Sequence, residues 1–196
     1  RYTGDREFLE KMWPHVAGAF AYMEELRLRE RTEANRAVNA AFYGMMPASI
    51  SHEGYSAKPM HSYWDNFWAL RGYKDAVEIA QALGRTEDAR RMAKSRDQFR
   101  DDLAASLQAA IRRHGIDYLP GAAELGDFDP TSTTIALAPG GEQDWLPRDL
   151  LENTFERYWL EFVQRREGLR EWKDYTPYEW RNVAAFVRLG WRERAW

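Results

Sequence analysis

The sequence predicts an all-α fold, and three observations carry that prediction. Apolar residues recur at three- and four-residue steps over long segments. Those segments are bounded by capping residues at their starts and by glycines at their ends. Strand-like alternation does not extend beyond a few residues such as Ile116 to Leu119.

The first helix opens at Asp5, an N-cap residue. Phe8, Met12, Val16, Phe20 and Met23 then form one apolar stripe, and Pro14 predicts a kink or a restart. The run Arg27, Arg29, Arg31 reads as a solvated helix end, interleaved as it is with Glu30 and Glu33. From about Ala34 to His61 the periodicity is lost, and an ordered loop rich in aromatics and Met is expected. A second helix spans Ser62 to Leu83, burying Tyr63, Phe67, Leu70, Tyr73, Val77 and Ala80, and Gly84 stops it. A third follows Thr86, buries Met92, Phe99, Leu103, Leu107 and Ile111, and ends at Gly115. So short a connection makes these two an antiparallel hairpin.

Ile116 to Leu146 is irregular, with a short helix opened by Asp129 and Pro130 and running through Leu137. A further helix starts at Pro147, turns Leu151, Phe155, Tyr158 and Phe162 inward, and stops at Gly168. The last runs from Pro177 to about Ala195, burying Val183, Phe186, Val187 and Trp191. Short turns alternating with long aromatic and acidic loops place the chemistry on one rim of a single domain.

Composition narrows the function. The chain has 196 residues, 44% hydrophobic and 30% charged, with a net charge of -3, so it offers no positive field for nucleic acid. Without cysteine there are no disulfides, thiolate nucleophiles or cysteine-ligated zinc. No apolar run approaches the roughly 20 residues that span a bilayer, so no membrane partner is expected. The chain begins at Arg1 rather than Met, which suggests a preceding piece. Neither a Gly-rich phosphate loop nor a GxSxG elbow nor an HExxH zinc pair is present, and no metal or cofactor is expected. Nine Trp, ten Tyr and nine Phe are the informative excess, because their flat faces suit both a core and a sugar ring.

Three stretches then stand out: FLEKMWPHV from Phe8; YGMMP from Tyr43 with SHEGY from Ser51 and HSYWDNFWAL from His61; and YEWRNVA from Tyr178. Together they resemble the six-hairpin (α/α)6-toroid glycoside hydrolases, the superfamily of trehalases and glucosidases. In that superfamily an Asp in a comparable tryptophan-flanked context opening a helix is the general acid, and the resemblance puts Asp65 in that role. It also implies a carbohydrate substrate and hydrolysis of O-glycosidic bonds. About six helices are predicted here, against the twelve of a complete toroid at roughly 350 residues. The chain is therefore expected to be a C-terminal half, completed by an N-terminal half or by a second copy.

Glycoside hydrolysis needs two carboxyl groups flanking the scissile bond. Asp65 is the candidate acid, and Glu124 and Glu179 are candidates for its partner. Tyr43, Glu53, His61, Trp64, Trp68 and Asp127 are the candidate substrate-binding residues. Each catalytic candidate competes with a plainer reading. Ser62 and Asp65 have capping-box spacing, as do Thr176 and Glu179, which would leave both carboxylates charged and merely structural. The alternative function is a helical module that binds carbohydrate or a protein partner without catalysis.

Overall fold

The computed structural model describes residues 4–50, 55–173 and 175–196. The protein is all-α. Its helices are α1 (Arg6–Glu30), α2 (Glu33–Val38), α3 (Tyr63–Ala82), α4 (Thr86–His114), α5 (Pro130–Leu137), α6 (Arg148–Arg166), α7 (Trp180–Leu189) and α8 (Arg192–Ala195). Among the described residues there is no strand, only isolated bridges pairing Ser49 with Met60 and Ser62 with Ala122. None of these helices is long and apolar enough to cross a membrane.

Local chemistry sets most boundaries. The Asp5 carboxylate accepts from the Phe8 amide at 2.9 Å and opens α1. Asp129 does the same for α5 at the Ser132 amide, 3.1 Å away. Gly115 and Gly190 end α4 and α7 in the left-handed conformation that a side chain would oppose. Gly190 also corrects one expectation: the last predicted helix is two, α7 and α8, led by a single 3-10 turn at Pro177–Glu179.

The helices form a row with partners alongside. α3 packs on α5 and α5 on α7, while α1 and α4 lie against α3 and α6 contacts both α5 and α7. Arg6 donates to the Ala82 and Leu83 carbonyls, each at 2.9 Å, so α1 starts where α3 ends. Tyr63 meets Ser106 at 3.0 Å, so the later half of α4 lies beside the start of α3. Arg71 and Lys74 reach the Pro139 and Gly140 carbonyls just past α5, which makes α3 and α5 parallel. The start of α7 lies beside the end of α6, where Arg165 stands over Tyr175. Thus α3, α5 and α7 begin at one end, and α1, α4 and α6 run the other way.

One continuous apolar core, with two aromatic centres, holds this arrangement. Tyr73 packs against Phe20 and Phe99 at centroid distances of 5.1 and 5.3 Å. Phe186 gathers Phe155, Tyr158, Trp159 and Trp191 around itself. All six residues predicted as the buried face of α3 are buried.

The first helix is single through the exposed Pro14, with no restart there. It departs from expectation in two ways. Its buried face is Trp13, Phe20 and Arg27, so Phe8 is exposed. Arg27 is not a solvated helix end but fully buried. Its guanidinium bonds Asp102 at 2.9 Å, Gln98 at 3.0 Å and Glu24 at 3.0 Å, and Arg31 bonds Asp102 at 3.0 Å. Phe20 is buried as predicted, and Val16 and Met23 pack partly buried against the core, but at the start of the helix Leu9 and Trp13 take the inner positions expected for Phe8 and Met12. On α7, Val187 is likewise exposed, and Asn182 takes the buried position in phase with Phe186 and Leu189. The loop after α1 also contains α2, capped by Thr32, which bonds the Asn35 amide at 3.2 Å.

Truncating a fully buried charged partner leaves the others desolvated and unpaired. Arg27→Ala is therefore expected to cost about 3–5 kcal/mol in urea unfolding, whereas exposed Arg29→Ala stays within about 0.5 kcal/mol.

Candidate active site

The shared end of α3, α5 and α7 is built by a backbone clasp. Tyr63 donates its amide to the Gly121 carbonyl at 2.9 Å, and Ala123 donates to the His61 carbonyl at 3.0 Å. The turn closes on itself through Gly121 to Asp127 and Gly126 to Ala122, both at 3.0 Å. Gly121 has no room for a side chain: a Cβ there would collide with the Tyr55 hydroxyl, Asp127 and Asp129. On the other side, Ser49 and Met60 exchange amide–carbonyl bonds at 3.0 Å. Two loops and a helix start are thereby pinned together, and with them the acidic residues of positions 65 to 129.

Glu124 is organised around His61. It accepts from the His61 amide at 3.1 and 3.0 Å through its two oxygens, and Oε1 lies 2.6 Å from the ring Nδ1. Burial works against its charge, but the His61 hydrogen bonds and charge outweigh that and hold the carboxyl below its ordinary value. The buried His61 ring stacks on Phe42 at 4.2 Å, and its Nε2 lies 3.7 Å from Glu30.

Asp127 differs from Glu124. One oxygen accepts from the Ala122 amide at 3.0 Å and the other from the Tyr55 hydroxyl at 2.7 Å, yet burial raises its carboxyl above the ordinary value. Asp129 is the cap of α5 and also accepts from the Thr131 hydroxyl at 2.7 Å.

Asp65 is not in a capping box. The Ser62 hydroxyl is buried with no partner among the described residues, and no side-chain cap bond forms at the start of α3. The Asp65 carboxylate instead accepts from the Ser49 hydroxyl at 2.7 Å. Burial raises the pKa of its carboxyl more than that bond lowers it. Beside it, Trp64 and Trp68 meet edge to face at 6.0 Å, and Trp68 is 40% exposed, leaving a ring surface open.

The remaining candidates spread outward. Tyr43 is held between the guanidiniums of Arg31 and Arg36, at 5.1 and 4.7 Å, on the side of the buried arginine network. Glu179 leaves its expected capping box for Asn182, whose amide donates to it at 3.3 Å, and for the Tyr158 hydroxyl. Burial raises its carboxyl, and Asp129 across the helix starts raises it further. Glu53, with His52, lies outside the described residues.

Sequence reasoning missed Tyr55, Ser49 and Asn182 as members of this end. Asn182 carries a readable signal, a polar residue in phase with the buried face of α7; Ser49 and Tyr55 are placed only by tertiary pairing. Among the described residues no group of three or more His, Asp or Glu is placed to hold a metal ion.

Fold and site together define an all-α protein whose parallel helix row presents carboxyl groups of divergent acidity at one end. Compared with family models, curated proteins and solved structures, the chain finds no match in any of them.

The two acidities have opposite linkage to stability. Asp65, raised above 3.8, disfavours the folded state once ionised, so Asp65→Asn should stabilise most at neutral pH and lose that gain as pH falls towards 3.8. Glu124, lowered below 4.5, stabilises above that value, so Glu124→Gln should destabilise at neutral pH, with the loss fading as pH drops through the lowered value. Urea unfolding of both variants between about pH 3 and about pH 7 checks the signs.

Proposed function

We propose that this chain is part of a glycoside hydrolase catalytic domain that cleaves O-glycosidic bonds with a carboxyl pair. The observation that carries the reading is the opposite displacement of two carboxyl pKa values at the start of α3, where burial drives Asp65 upward and the His61 bonds hold Glu124 downward. Carboxyl groups whose environments drive their acidities apart are suited to divide the roles of proton donor and ionised partner. In this reading Asp65 protonates the leaving oxygen. Glu124, kept charged by His61, acts as base towards water or stabilises positive charge on the sugar. Trp64 and Trp68 supply ring faces for stacking, and Asp127 bonds sugar hydroxyls.

The connectivity is compatible with the same reading: α3 and α4, joined by residues 83–85, pack as an antiparallel hairpin. In this reading the rest of a six-hairpin ring comes from further chain or a second copy.

One observation favours a second, non-catalytic reading as a carbohydrate-binding module: both Glu124 oxygens are already engaged by His61. A panel of aryl glycosides and oligosaccharides separates the two. Under the hydrolase reading some member is cleaved, and Asp65→Asn and Glu124→Gln each slow it by about 10²- to 10⁴-fold while staying folded. The rate rises with pH as Glu124 ionises and falls as Asp65 loses its proton. Binding with no cleavage of any member leaves the module.

A further inference from the structure

Beyond the acidic end, α6, α7 and α8 line an open pocket of about 540 Å³. Its walls include Tyr158, Trp159, Tyr175 and Trp180, so flat aromatic faces dominate. Polar atoms interrupt them in a particular way. Asn182 is 1% exposed, and its Oδ1 has no hydrogen-bond partner among the described residues, its Nδ2 being spent on Glu179. Arg194 bonds Glu156 through Nη2 at 2.8 Å, but its Nη1 is buried and also without a partner there. Burial of an unpaired acceptor and an unpaired donor costs free energy that a ligand carrying both kinds of group returns. The lining charges balance, Glu179 and Glu193 against Arg166 and Arg194, which favours a neutral ligand over an ion.

We propose that this cavity is a binding subsite for a neutral saccharide ring, stacked on Trp180 and hydrogen-bonded by Asn182 Oδ1 and Arg194 Nη1. A hydroxyl can donate to the amide oxygen while a neighbouring hydroxyl or ring oxygen accepts from the guanidinium, and the ring's apolar face lies on the indole. Glu179 is then a recognition residue. The inference rests on the proposed function only in taking carbohydrate as the substrate class.

Calorimetry and saturation-transfer NMR with maltotriose, cellotriose and mannotriose test it, in the Asp65→Asn background so that cleavage plays no part. At least one should bind with a dissociation constant in the millimolar range or below, and Trp180→Ala should weaken it about tenfold or more. Trp180 is 79% exposed, so that variant keeps the fold; Asn182→Ala, checked by circular dichroism, should weaken the same ligand. Failure of all three sugars to bind at about 50 mM overturns the subsite. So does binding indifferent to Trp180→Ala, and so does a dimer that Trp180→Ala dissolves while no sugar binds. Binding without hydrolysis of the parent chain sinks the hydrolase alone, whereas hydrolysis with binding indifferent to Trp180 sinks the subsite alone.

Discussion

The amide of Tyr63 has to be satisfied, and the way it is satisfied organises this end of the molecule. The first amides of a helix lack partners within it, and an N-cap serine ordinarily serves the second or third, which Ser62 does not do here. The first amide, that of Tyr63, goes to the Gly121 carbonyl, with Ala123 returning a bond to the His61 carbonyl. A backbone carbonyl from a distant loop thus contributes to capping α3, and in doing so it fastens the loop that leads into α5. Asp65, outside any capping box, is free to accept from Ser49.

That freedom has an electrostatic consequence. A helix start favours negative charge, so a carboxylate there is normally kept ionised. Burial opposes this, and at Asp65, Asp127 and Glu179 burial wins. Glu124 is buried too, but two hydrogen-bond donors from one residue, the amide and ring of His61, tip the balance the other way. The difference between these acids is therefore a matter of partners more than of depth. A hydroxyl returns too little to a buried charge, while a histidine returns enough.

Rigidity comes from two different regions of one core. Around Phe186 it is aromatic packing. Around Arg27 it is a buried ionic network in which Tyr73 and Ser95 bond Glu24 at 2.6 and 2.8 Å. Gly44, at a positive φ of 72°, lies so close to Asp102 that no side chain fits there. The loop from α2 towards the acidic end is thereby seated on the network, so the position of Ser49 depends indirectly on an arginine at the far end of α1.

Much of the helical framework was legible in the residues themselves. The six-residue stripe of α3, the Asp129–Pro130 start of α5 and the glycine stops after α3 and α4 depend on local period and local capping, which sequence displays directly. The same local rules placed Val16, Phe20 and Met23 correctly on the inner face of α1, but they left Arg27 in solvent because they cannot see the acids and aromatic ring that bury it. They also read Ser62 with Asp65, and Thr176 with Glu179, as capping boxes, because spacing alone cannot reveal a carbonyl or an amide arriving from elsewhere in the chain. By itself the sequence determined the all-α class, most helix limits and the acidic, aromatic character of the loops. Only the tertiary structure decided which carboxyl is driven up and which down, because acidity follows burial and hydrogen-bond partners brought from as far as 72 residues away.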